Sequence, residues 1–131
     1  MSLLARGIAV WIVIAVVEML HGIVRTAVLR PRVGDLASRQ IGVLTGSLLI
    51  LGVAWLSVPW IRIGSSGEAL QVGGAWFVLM LAFEVILGRA FGMSWSRIAE
   101  DYDPRRGGFM VLGMLVITLA PLMMWELRGR P

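Results

Sequence analysis

The sequence predicts an all-α, polytopic integral membrane protein with four transmembrane helices. Three observations predict it. First, 58% of the 131 residues are hydrophobic and only 15% are charged, with a mean hydropathy of +0.85. An ordinary soluble domain is near half apolar and about a quarter charged, and a soluble fold of this size has too little interior to hide so much apolar surface. Second, four long apolar stretches occur, at about 8–29, 41–63, 73–91 and 109–127. Each is near the roughly 20 helical residues that cross a hydrocarbon layer of about 30 Å. Third, the alternating strands of about ten residues that a closed barrel needs are nowhere visible. The chain reads as a single four-helix transmembrane domain, 1–131.

The first stretch is too long for a signal-peptide core, carries Glu18 and is followed by no small-residue cleavage site. It is expected to stay in the mature protein. The second opens with Gly42 and Gly46 at the GxxxG spacing, beside Thr45 and with Gly52 on about the same face. Small residues at that spacing let helix backbones approach closely in lipid. Pro59 marks its fraying end. The third contains Glu84, Gly88 and Arg89. The segment 92–108 that follows looks soluble: Ser94 or Ser96 can cap a short helix running to Tyr102. Trp95, Ile98 and Tyr102 lie about a turn apart on it, as on a helix at a membrane surface. Glu100, Asp101 and Asp103 are expected to be a solvated acidic helix end beside Arg105 and Arg106. The fourth stretch presents Gly113 and Ala120 as a weaker packing face, and Pro121 is expected to kink it.

Arginine counts suggest an orientation. All twelve basic residues are arginine. Arg30, Arg32 and Arg39 fall in the first connection, and Arg97, Arg105 and Arg106 in the third. Basic residues accumulate on the cytoplasmic side, so these connections are expected inside and both termini outside, in the cytoplasmic (inner) membrane of a bacterium. Trp11, Trp60, Trp76 and Trp125 then fall near the outer helix ends and Trp95 near the inner side, as an interfacial aromatic belt would. Trp55, a turn deeper, is expected to pack internally.

The chain also resembles itself. Placing EVILGR (84–89) under EMLHGIVR (18–25) sets Glu84 on Glu18 and Gly88 on Gly22 at an offset of 66, and Arg106 and Gly113 fall on Arg39 and Gly46 at 67. Two duplicated helical hairpins, 1–66 and 67–131, are expected, related by an axis along the membrane normal. The two glutamates would then lie at similar depth.

Glu18, His21, Gly22 and Arg25 share one helix face, by the spacing of three, four and seven residues. A charged side chain at mid-bilayer costs about 2.5–3.5 kcal/mol on insertion scales. Such a group escapes that cost by taking up a proton or by finding a partner, and either way its face must point into protein. Glu18, Glu84, His21 and Arg25 are therefore the candidate transport or proton-binding residues, with Gly22, Gly42, Gly46 and Gly88 as candidate helix-packing positions. Carboxylates, a histidine and arginines at membrane depth are the usual parts of a proton or cation path. The expected function is a proton- or cation-linked transport component, in a homo-oligomer or a larger membrane complex. The competing expectation is a non-catalytic accessory or assembly subunit of such a complex. An enzyme is less expected. No catalytic signature or metal-binding run is present, no cysteine exists for thiol chemistry and no lysine for Schiff bases. No metal or other cofactor is expected. The net charge of +4 comes without a contiguous basic surface interleaved with aromatics, so no nucleic-acid partner is expected. The lipid bilayer is the expected neighbour.

Overall fold

A computed structural model describes residues 1–129. They are helical with no strand, and four of the helices are long and apolar enough to cross a membrane.

Ser2 caps α1 (Leu3–Val24), its hydroxyl accepting from the Ala5 amide at 3.1 Å. The helix does not stop where the apolar run does. It widens into a π turn (Arg25–Leu29) and continues as α2 (Arg30–Val33), giving one rod of 31 residues. The cause is Pro31: its ring would press on the carbonyl four residues earlier in a regular helix. Widening the turn relieves that pressure, and the Arg30 amide reaches back to the Arg25 carbonyl instead. Gly34, at φ +88, takes the backbone conformation that reverses the chain. The expected eleven-residue connection 30–40 is thus a single glycine between helices.

Next comes α3 (Asp35–Ile61), which ends in Arg62 in the left-handed region at φ +62. Pro59 lies inside its last turns. Having no amide hydrogen, Pro59 leaves the Trp55 carbonyl without its helical donor. The Arg128 guanidinium supplies one at 3.0 Å and lies over the Trp55 ring at 4.7 Å. Ser65 caps α4 (Ser66–Ala90), and Ser94 caps α5 (Trp95–Asp101), as its sequence position suggests. A 3-10 turn (Pro104–Arg106) leads to α6 (Met110–Leu127).

The four long helices form a ring. The first rod packs on α3 and α4, and α6 packs on the same two. Where α4 crosses α6, a Cβ on Gly73 would lie 1.8 Å from the Thr118 carbonyl oxygen, so the two backbones touch there. This ring lacks the axis expected from the duplicated stretches. A twofold along the normal exchanges helices across the diagonal of a four-membered ring, yet α1 and α4 are neighbours, as are α3 and α6. The two hairpins stand side by side.

One end of the bundle is solid. Ile14, Ile61, Val72, Trp76 and Ile117 are completely buried there. The Trp76 indole donates to the Gly7 carbonyl at 2.8 Å, and Arg6 Nε donates to the Ile61 carbonyl at 2.8 Å. The tryptophans therefore depart from the expected belt. Trp76 and Trp125 are buried, because each falls on an inward helix face, and Trp11 meets Phe83 edge-on at 5.9 Å. Trp60 and Trp95 are exposed as expected, and Trp55, expected to pack, is 41% exposed. The outward faces are apolar, Leu56 at 78% and Ile86 at 68% exposure among them. Such outward faces are consistent with a multi-pass helical membrane protein.

Candidate functional site

The other end of the bundle is open. A cleft of about 870 Å³ enters between the four long helices and is lined by all four candidate residues, Glu18, His21, Arg25 and Glu84. Ile50, Met80 and Ile117 lie on its walls, in the buried layers of the bundle.

The α1 face is as the helical spacing predicts. Glu18 Oε2 stands 3.8 Å from His21 Nδ1, with both side chains largely covered. His21 Nε2 lies 2.6 Å from Thr45 Oγ1, and the Thr45 hydroxyl donates to the Ile41 carbonyl at 3.1 Å. The tautomer sets which partner donates, and the ring links Thr45 on α3 to Glu18 on its own helix. Glu18 Oε1 is buried and has no hydrogen-bond partner among the described residues. Arg25 donates to Ser38 Oγ at 3.0 Å, and Ser38 is completely buried.

Gly42 and Gly46 do pack, though not as the spacing suggests. A Cβ on Gly42 would sit 2.4 Å from Arg25 Cδ, and one on Gly46 would sit 2.7 Å from Glu18 Oε2. The GxxxG face of α3 is a trough that admits the ionisable side chains of α1, rather than a seam of touching backbones. Gly88 seats the side chain of Ile98, 3.1 Å from where its Cβ would be, and so holds α5 against α4. Gly22 is not a packing position: a Cβ there meets nothing within 4 Å, because the residue faces the cleft. Gly52 likewise meets nothing, since the small buried face of α3 runs through Gly42, Gly46, Ile50 and Ala54.

Glu84 enters the cleft from α4, where the charges of Glu18, Arg25 and Asp101 act on it or feel it. Arg89 points elsewhere, donating to the Met93 carbonyl at 3.1 Å and lying over the Trp95 ring at 4.7 Å.

An ionic collar rings the mouth. Asp35 contacts Arg30 at 3.4 Å, Arg39 at 3.1 Å and Arg97 at 3.7 Å, while Asp101 contacts Arg97 at 3.2 Å and also Arg39. Sequence reasoning missed this. It left Asp101 in a solvated acidic end, whereas Asp103 does pair there with Arg105 and Arg106. The available signal was two opposite-charge pairs at the four-residue spacing, Asp35–Arg39 and Arg97–Asp101, at the same end of the bundle. Tyr102 lies beneath the collar with a buried phenol that has no partner among the described residues. Burial pushes its pKa up, and the charges of Glu84 and Asp101 push it further the same way. Among the described residues no three histidine, aspartate or glutamate side chains converge as a metal site.

Comparison with protein-family models, with curated proteins and with solved structures gave no match. The functional reading therefore rests on the chemistry of the cleft.

Proposed function

We propose that this protein is a proton- or cation-linked transport component of a bacterial cytoplasmic membrane. Glu18 and Glu84 are its cation- or proton-binding carboxylates, and His21 and Arg25 assist. One observation carries the proposal: both glutamates line a single cleft that opens at one end of the bundle and stops at a packed layer toward the other. A carrier needs that arrangement, a site reachable from one side and sealed from the other.

The chemistry follows from the site. A carboxylate away from water is costly unless it is neutralised. A proton does this, and so does a cation, and the two exclude one another at the same oxygen. The Glu18–His21 pair keeps the proton close, with Thr45 fixing the ring. Arg25, held by Ser38, fixes the potential at the inner end of the stripe. Glu84 lies on a neighbouring helix within electrostatic reach of Glu18, so loading one carboxylate alters the other. The matching positions of the two glutamates in the offset alignment fit a duplicated hairpin, laid side by side. The arginine-rich collar end faces the cytoplasm on this reading, with both termini outside.

The test is flux in proteoliposomes. Glu18→Gln and Glu84→Gln preserve shape and hydrogen bonding but remove titration and charge. Each is expected to bring proton- or cation-driven flux down to that of protein-free vesicles. Wild-type flux from either variant would overturn the proposal.

A further inference from the structure

The same cleft points to a substrate class, an inference that rests on the transport reading above. We infer that the cleft takes a lipophilic organic monocation, its charge held at Glu18 and Glu84 and its apolar body lying against Met80, Phe83 and Met114.

Size is the first argument. The cleft measures about 870 Å³, whereas a water-sized ion needs on the order of 30 Å³. Sites for small organic molecules run from about 300 to 1,000 Å³. An inorganic ion alone would leave most of the volume without purpose, and no cage of three acidic or histidine ligands exists among the described residues to dehydrate one.

Charge is the second. At the mouth, Arg30, Arg39 and Arg97 are held by two carboxylates, Asp35 and Asp101. Arg25 donates to the neutral hydroxyl of Ser38, toward the collar end of the stripe. Deeper on the stripe lie the carboxylates Glu18 and Glu84 with the His21 imidazole 3.8 Å from Glu18, and one Glu18 oxygen is buried and unpartnered among the described residues. A buried acceptor left without a donor is costly; a bound ammonium or amidinium group donates to it, and a quaternary onium group offsets the carboxylate charge.

The walls are the third. Met80, Phe83 and Met114 line the cleft beside the carboxylates. Thioethers are polarisable and adapt to irregular apolar shapes, and an aromatic face attracts a cation.

The experiment is equilibrium dialysis of tetraphenylphosphonium against the purified full chain in lipid nanodiscs, with triphenylphosphine oxide as the uncharged control. Saturable binding of the cation is expected, with the control binding much more weakly. The double variant Glu18→Gln/Glu84→Gln should bind about thirtyfold more weakly or worse, the scale on which one side of a buried charge pair matters. Glu68→Gln, at the sealed end, should bind like wild type. Should the double variant fail to fold, Gly22→Leu gives an independent answer: it fills the cleft and leaves both acids in place, so it should weaken cation binding. Equal binding by wild type and these variants, equal binding of the neutral control, or no binding at all overturns the inference. The two proposals fail separately. Glutamate-dependent proton flux without phosphonium binding sinks the substrate class alone. Glutamate-dependent phosphonium binding with wild-type flux in the variants supports the ligand site and sinks the transport reading.

Discussion

At Gly46 the chain omits a side chain so that Glu18 has somewhere to put its own. The contact is with the flexible end of a carboxylate, so Gly46→Ala should fold normally while displacing Oε2, lowering flux in vesicles without lowering the melting temperature in detergent. Gly22→Ala is the contrasting case. Nothing lies within 4 Å of the new methyl, and alanine is favoured over glycine in a helix by about 1 kcal/mol, so thermal stability should stay the same or rise slightly. A third expectation concerns Tyr102, the only tyrosine of the chain. An ordinary phenol ionises near pH 10. The Tyr102 anion is disfavoured by burial and by two nearby carboxylates, so the phenolate absorbance band of the intact protein should not appear until well above that pH, then appear at the ordinary value once the protein is unfolded. At this scale the polar stripe Glu18–His21–Arg25 was legible from sequence, because helical spacing alone puts those side chains on one face. The roles of Gly22 and Gly42 were not, since a missing side chain carries no sign of what fills its place until the register of the facing helix is known.

Among the elements, α4 and α6 make the least forgiving contact. The neighbour of Gly73 is the Thr118 carbonyl, which is backbone and cannot swing aside. Gly73→Ala should destabilise by more than the roughly 1–3 kcal/mol usual for an overpacked core, readable as a marked drop in melting temperature and a loss of folded yield. Four spans were legible because length and hydropathy suffice to place an apolar rod. Their ends were not. Apolar content fades at Leu29 and Arg30, but hydrogen bonding does not, and the π turn at Pro31 carries the first rod on to Val33. The buried Trp76 shows the same limit. Near a helix end, a tryptophan facing lipid and one facing a neighbouring helix look identical in a single sequence.

For the whole molecule the decisive feature is its division into a sealed end and an open one, with the collar across the opening. Asp101 ties α5 to Arg39 on α3, so Asp101→Asn should loosen the segment over the mouth. Stability should fall by about 1 kcal/mol, the scale of a partly exposed ion pair. Amide exchange should quicken in Trp95–Asp101 and not around Trp76. Unchanged exchange in that segment would show that the collar does not restrain it. None of this end-to-end asymmetry could be read from composition, because both ends draw on the same apolar alphabet and differ only in how closely the helices converge.

The lengths of the helices have one more implication. The first rod has 31 residues and α6 has 18, about 46 Å against about 27 Å at a rise of about 1.5 Å per residue. In a hydrocarbon layer of about 30 Å the long rod would have to lean or protrude, whereas α6 would barely span it. Acyl-chain length would thus set the tilt between these helices, and with it the width of the opening they share.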